Sequence, residues 1–409
     1  SAKVKLYRTL ALNKNQNVTF DQTSIAHHPE LKYYSADGKL VVFTDHGAKI
    51  YRESLRNKER VLVEKMERTY QVLMLLEDGF WRIRHMVEMA PEKLLRVQDT
   101  VLEKSGDPAS IKGINYYPKD APWAMFGQKF NDSIINADFK IIKDMGLNTV
   151  RLFINYEEFG KNKLRKDKMK KMKKVLDLAQ AHQLKAIITL FDFYGNYDVY
   201  DWTLTHRHAE KVVKALKKHP ALLGWDLKNE PDLDFESRGK HTVLAWLSEM
   251  NTQIKKWDPV HPITIGWSNT QAAVHLANEL DYVSFHYYED LDLFPERMAA
   301  LRKAVPNRQL VLQEYGLSSY SGPWNGFSGS DENQAEYYRE IQAQLKKEKL
   351  PFLFWTLYDF EEVPNRVAGW QPWRKNKQGF FGCIDVNGNK KEAYFQLLQS
   401  PKNERKEKE

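Results

Sequence analysis

The chain of 409 residues is 42% hydrophobic and 12% aromatic and carries a formal net charge of +8, so it is long enough for two domains of roughly 100 to 250 residues. Its single cysteine, Cys383, excludes an intramolecular disulfide framework, and no run of about 18 apolar residues offers a membrane-spanning helix. The basic stretch from Lys161 to Lys174 interleaves with Leu164, Met169, Met172, Val175, Leu176 and Ala179, which is the apolar stripe of a solvated helix rather than a specific nucleic-acid site.

Up to residue 105 the pattern is one of short strands. LKYYSADGKLVVFTDHGAKIYRES and YQVLMLLEDGFWRIRHMVEM fold about Asp-Gly or His-Gly pairs, a hairpin signal. They predict a small β-rich, sandwich-like N-terminal domain over residues 1–105, joined through the linker-like LEKSGDPAS at 102–110. The chain opens SAKVKL with neither Met nor an apolar signal region. The expectation is a secreted, periplasmic or cell-surface protein whose export signal or membrane anchor has been removed. The charged tail 402–409 is expected to fray.

From 106 to 401 strands alternate with helices. Strands are predicted at 111–117, 148–154, 185–193, 221–229, 262–267, 282–288, 309–315 and 352–358, and helical patterns at 133–146, 208–219, 242–257, 295–305, 333–347 and 390–400. Eight such repeats predict an α/β fold of the (β/α)8 TIM-barrel type. No GxGxxG follows the first strand, which argues against an open doubly wound sheet.

A TIM barrel places its active site at the C-terminal ends of its strands. There the successive strands carry Tyr116, Arg151, Asp192, Asn229 with Glu230, Trp267, His286 with Tyr288, Glu314 and Trp355. Glutamates on strands four and seven suit acetal hydrolysis, in which one carboxyl protonates the leaving oxygen while the other attacks carbon or activates water; a separation of about 5 Å goes with a covalent intermediate and retention. Arg151 and Tyr288 are expected to keep Glu314 ionised. An aromatic wall of Trp225 or Trp267 is expected to raise the pKa of Glu230 so that it holds a proton. Asn229 is suited to bonding a sugar hydroxyl. Trp123, Trp202, Trp324, Trp370 and Trp373 lie outside strands, and Trp370 and Trp373, on the long loop after strand eight, are the preferred platforms for flanking sugars. His27-His28, His206 with His208, and the Asp-rich 231–236 read as structural residues of solvent-facing loops, without a complete tetrahedral set. Neither a metal nor a cofactor is expected.

TVRLF with Arg151, KNEP with Asn229 and Glu230, HYY with His286 and Tyr288, QEYG with Glu314 and FWTLYD with Trp355 together resemble the retaining β-glycosidases that carry glutamates on strands four and seven of a TIM barrel. Within that clan the set is most similar to family 5, the cellulase- and mannanase-like enzymes, and it covers about residues 111–400. The resemblance implies Glu230 as acid/base, Glu314 as nucleophile, Asn229 as partner of the sugar 2-hydroxyl, and Arg151 and Tyr288 around the nucleophile. It further implies His286 as a substrate or network residue and Trp355 as the platform under the central sugar. Many members have a histidine at the end of strand three, where this chain has Asp192, so the sugar is left open. The β-rich N-terminal domain resembles the sandwiches that precede the barrel in family 2. The implied partner is a β-linked oligosaccharide or polysaccharide, handled by a monomer. Transglycosylation, or sugar binding without catalysis, is the alternative on the same barrel.

Overall fold

The structure, a computed structural model, describes residues 107–323 and 326–399, together with the backbone of seven strands between Lys5 and Met89. The expected boundary at 105–106, the tail from 402, His27-His28 and Trp324 lie outside the described residues. The chain divides into two compact units, Ser1–Leu102 with Tyr197–Thr205, and Glu103–Asn196 with His206–Glu409.

In the first unit the strands are β1 (Lys5–Leu10), β2 (Lys32–Tyr34), β3 (Leu40–Thr44), β4 (Gly47–Glu53), β5 (Arg60–Lys65), β6 (Thr69–Glu77) and β7 (Phe80–Met89). They pair in the order β1-β6-β7-β2-β3-β4-β5. Glu77 pairs with Phe80, which leaves the Asp78-Gly79 pair of the sequence as the connection between β6 and β7.

The second unit is built on β8 (Lys112–Asn115), β9 (Thr149–Asn155), β10 (Lys185–Asp192), β11 (Leu222–Asn229), β12 (Ile263–Trp267), β13 (Val283–Tyr287), β14 (Leu310–Tyr315) and β15 (Phe352–Phe354). They form a closed barrel in which each strand pairs parallel with the next and β15 returns to β8. All eight expected strands are present, with β15 shortened to three residues. β9 is buried along its whole length, as parallel strands covered on both faces are, with Val150, Leu152, Phe153 and Ile154 as its apolar positions.

Helix α1 (Asp132–Asp144) shows how the sequence sets an element. Asn131 caps it by accepting from the Ser133 and Ile134 N–H groups, and Ile135, Phe139 and Ile142 bury one stripe against the barrel. Gly146, at φ 78°, stops it in the left-handed conformation that favours glycine. A β carbon there would meet the Gln399 carbonyl oxygen. The basic helix α2 (Lys166–Ala181) buries Met169, Met172, Val175, Leu176 and Ala179 as expected, and Lys168 with them; Leu164 falls ahead of the helix. Helix α3 (Trp202–Leu216) begins six residues before its predicted start. The other long helices are α4 (Lys240–Trp257), α5 (Phe294–Ala304) and α6 (Asp331–Glu348).

The barrel interior is layered. Ile111, Ile187, Leu223, Tyr282, Val311 and Leu353 form a floor, and polar residues occupy the layer above it. At the rim the loops after β14 and β15 are tied together by one buried cation. Lys391 Nζ lies 2.8 Å from Asp359 Oδ2 and donates to Ser319 Oγ at 2.9 Å and the Gly382 carbonyl at 3.0 Å. Asp359 is itself buried and accepts the Gly382 N–H at 2.8 Å. Breaking a buried pair by removing one partner costs about 3 to 5 kcal/mol, because the remaining charge stays desolvated. Lys391→Met should therefore lower stability by about that amount in denaturant unfolding, and Lys391→Met with Asp359→Asn should recover part of the loss; equal midpoints for wild type and the single variant would contradict the clamp.

Candidate active site

Arg151 enters the barrel from the middle of β9 and is completely buried. Its Nη2 lies 2.6 Å from Asp226 Oδ2 and donates to Asn229 Oδ1 at 2.9 Å, its Nε donates to Thr189 Oγ1 at 3.0 Å, and its Nη1 donates to Asn115 Oδ1 at 3.0 Å and to Glu314 Oε2 at 3.2 Å. Burial works against the charge, but the Asp226 and Glu314 carboxylates outweigh it and raise the guanidinium pKa further. Because Arg can only donate, Asn229 must turn its oxygen to Arg151, which leaves its amide N–H groups for a ligand.

Glu314 is held from two sides, by Arg151 and by the Tyr288 hydroxyl, which donates to Oε1 at 2.8 Å. Glu230 faces it from β11. Its backbone is left-handed at φ 47°, ψ 51°, a conformation that costs a non-glycine residue about 1 to 3 kcal/mol and gathers at functional sites. The Glu230 N–H donates to the Gly266 carbonyl at 2.7 Å, which clamps this turn. His286 Nδ1 lies 2.8 Å from Glu230 Oε1. The carboxylate and imidazole ligand atoms of Glu230, His286 and Glu314 all lie within 4.8 Å of one another. That set is close enough to hold a cation, yet each group already has a protein partner, and the Arg151 guanidinium sits against Glu314.

Gly266 permits this convergence. A β carbon there would stand 2.7 Å from Arg151 Nη2, 2.7 Å from Gln313 Oε1 and 3.1 Å from His286 Nε2. Because Gly266 faces inward, its neighbour Trp267 points outward, where its ring packs on Phe235 and His275 away from the cleft. The same alternation places Tyr116 outside: it is fully buried and donates to Asp138 Oδ2 of α1 at 2.6 Å. The adjacent Tyr117 faces the cleft instead, stacked on Phe153 with ring centroids 5.2 Å apart. Asp192 reaches the cleft through a register irregularity between Thr189 and Asp192, which sends Phe191 outward against Trp246.

The cleft has a volume of about 750 Å³ and is lined by Glu230, Glu314, Asn229, Asp192, Tyr288 and Trp355, with Tyr117, Trp123, Phe153, Lys228, Asp234, Arg366, Arg374, Lys377 and Phe381. Trp355 and Trp123 make its aromatic wall, with ring centroids 5.5 Å apart. Trp370, 83% exposed, and Trp373 do not line it. Sequence spacing found the strand-end residues; it missed Tyr117 and Phe153, whose signal was alternation, and the cations of the last loop, which have no periodic signal. His206 and His208 do not sit in solvent-facing loops. They lie in α3, and burial lowers both pKa values to about 4.

Two carboxyl groups depart from their ordinary range in directions that matter. Burial lifts Asp192 to about 6 despite the Lys228, Arg151 and Arg366 cations. Burial also pulls the Glu230 carboxyl upward, but the hydrogen bond and charge of His286, with Arg151 and Lys228, outweigh it and hold the group below its usual value. This reverses the expected direction for the unliganded protein. The expected apolar wall is missing, because Trp225 donates to Asp258 Oδ2 behind the barrel and Trp267 faces outward.

The chain is similar to several known proteins. Human β-glucuronidase is 24% identical over 306 residues, covering 68% of this chain and 42% of that protein. A β-xylosidase of Phanerodontia chrysosporium is 22% identical over 295 residues, covering 62% of this chain and 58% of that one. The chain thus spans about half the length of the relatives it matches. Among solved structures, an exo-β-1,4-mannosidase from Opitutaceae bacterium strain TAV5 shares the fold with a TM-score of 0.59 at 18% identity, over 72% of this chain and 61% of that one. A GH2 β-galacturonidase from Eisenbergiella tayi gives 0.55 at 16% identity, over 90% of this chain and 70% of that one. The family described as "Cellulase (glycosyl hydrolase family 5)" matches residues 102–361, and with most of the barrel inside that span, the chain belongs to glycosyl hydrolase family 5.

Proposed function

We propose that the protein hydrolyses a β-O-glycosidic bond of a glycan with retention of anomeric configuration, Glu314 acting as nucleophile and Glu230 as acid/base. The observation that carries this reading is the approach of the two carboxylates: one oxygen of each lies within 4.8 Å of the other. Retaining enzymes place the two groups about 5 to 5.5 Å apart, whereas inverting enzymes need about 6.5 to 9.5 Å to admit a water. The relatives named as β-glucuronidase, β-xylosidase and β-mannosidase support a β-linked substrate.

In the first step a Glu314 oxygen bonds to the anomeric carbon as the glycosidic bond breaks, and the Glu230 proton goes to the departing oxygen. In the second, Glu230 takes a proton from water, the water oxygen bonds to the anomeric carbon, and the Glu314 ester bond breaks. Arg151 and Tyr288 stabilise the carboxylate that leaves. In the unliganded protein burial pulls the Glu230 carboxyl upward, but the His286 contact at 2.8 Å outweighs it and holds the group below its usual value; a glycan lying on Trp355 excludes water from Glu230 and favours its protonated form. Asn229, fixed by Arg151, offers its amide to the hydroxyl beside the reacting carbon.

Replacing Glu314 by Gln should abolish turnover on β-aryl glycosides and β-glycans, with the fold intact. Glu230→Ala should slow substrates with poor leaving groups by about 10² to 10⁴, and on activated aryl glycosides, whose leaving group departs without a proton, added azide should restore turnover by forming the β-glycosyl azide; an α-azide product from this variant would reverse the two roles. Asp192, with its pKa raised from 3.8 to about 6, is neutral below that value and a hydroxyl acceptor above it. The ratio kcat/KM should therefore rise as pH passes through about 6, and Asp192→Asn should remove that step; a profile unchanged by the substitution would take Asp192 out of substrate binding.

A further inference from the structure

Most charged side chains of the cleft are already matched. Glu230 is paired with His286, Glu314 with Arg151, Lys228 with Asp234 at 3.5 Å, and Arg366 with Glu158 at 2.6 Å. Arg374 and Lys377 are the exception: both line the cleft, and among the described residues no carboxylate forms an ion pair with either. They stand three residues apart on helix α7 (Pro372–Gly379), a spacing that puts two side chains on one helical face with their β carbons about 5 to 6 Å apart. The helix belongs to the loop after β15, and its last residue, Gly379, donates its backbone position to a tight contact: a β carbon there would meet the Phe360 carbonyl at 2.9 Å. Ser318 Oγ donates to the Lys377 carbonyl at 2.6 Å. The two cations are therefore carried on a segment held against the barrel rim. Asp192, at the end of β10, and Asp234, beyond the end of β11, also line the cleft, but Asp234 is already paired with Lys228.

We propose that the cleft takes an anionic glycan, one bearing a carboxylate or sulfate ester, with Arg374 and Lys377 holding the negative group. This deepens the glycosidase reading and rests on it for the orientation of the sugar over Glu314. An arginine offers a planar fork of N–H donors that matches a carboxylate or sulfate in two-point contact, and a lysine adds a mobile point charge. Neutral sugar hydroxyls bond equally well to amides and hydroxyls and give no reason for two unmatched cations. A loop with this role explains discrimination by charge without altering the reacting centre, since neither residue touches Glu230 or Glu314 in the structure.

The test separates binding from turnover. Glu314→Gln protein is titrated by calorimetry with three probes of equal length: a β-1,4-linked hexuronate oligosaccharide, its carboxyl-reduced neutral counterpart, and a sulfated neutral oligosaccharide. An anionic probe should bind at least about tenfold more tightly than the reduced one, the size of one charge-assisted hydrogen bond. Adding Arg374→Ala and Lys377→Ala should erase that preference, Arg374→Glu should invert it, and raised salt should weaken it. The hexuronate and sulfated arms tell which anion is held. Equal affinity for anionic and reduced probes, absence of binding to all three, or a preference that survives the double substitution overturns the proposal. Hydrolysis by the wild-type protein is scored separately on the same probes: turnover of the reduced probe without an anionic preference sinks this inference and leaves the glycosidase reading, while charge-dependent binding with no turnover of any β-glycan does the reverse.

Discussion

The site depends on one buried guanidinium. Arg151 reaches from β9 to side chains on β8, β10, β11 and β14, so a single charged group sets the relative positions of the strands that carry the chemistry. A buried charge without partners is unaffordable in a low-dielectric interior, and partners that satisfy it must stand at fixed places. Asp226 and Glu314 neutralise the guanidinium, and Asn229, Asn115 and Thr189 accept from its remaining donors. This geometry needs empty space at Gly266, where any side chain would push against Arg151, Gln313 and His286 together. Conformation at Glu230 follows from the same layer, since its strained turn is pinned to the Gly266 carbonyl.

Much of this was legible in the sequence because strands buried on both faces leave long apolar runs that polar residues visibly interrupt. Counting those runs put Glu230 fourth and Glu314 seventh, and the barrel followed. Counting did not give side-chain direction. The positions of Tyr116 and Trp267 at strand ends suggest the rim, yet each alternates with a residue that faces inward, Tyr117 and Gly266. Irregular register at the end of β10 turned Asp192 inward where strict alternation would have turned it out. Trp370 and Trp373 lie on a long loop, and loop direction has no period to read. The pKa of Glu230 was also out of reach, because it depends on His286 across the barrel, 56 residues further along the chain.

The two halves of the carboxylate pair are held in different ways, and the difference fits their proposed tasks. Glu314 receives fixed donors from Arg151 and Tyr288, which favour a charged group that bonds and leaves without moving. Among the described residues Glu230 is held by a single side-chain contact, to His286 Nδ1 at 2.8 Å, on a backbone turn pinned to Gly266. Around this centre the aromatic wall of Trp355 and Trp123 supplies flat apolar area for sugar faces, and the cations of the last loop stand apart from the reaction. In the proposed reading the barrel layers carry the chemistry, and the loops tied together through Lys391 carry the choice of substrate.

The central claim is that Glu314 becomes covalently bonded to the sugar. Mass spectrometry after incubation with a 2-deoxy-2-fluoro-β-glycosyl fluoride tests it most directly, because the fluorine slows both steps and the fluoride leaving group restores the first. The account predicts a mass increase of one glycosyl group per chain, mapped by proteolysis to the peptide containing Glu314 and absent in Glu314→Gln. Labelling that maps to another residue, or turnover of natural substrate with inverted anomeric configuration, would contradict it.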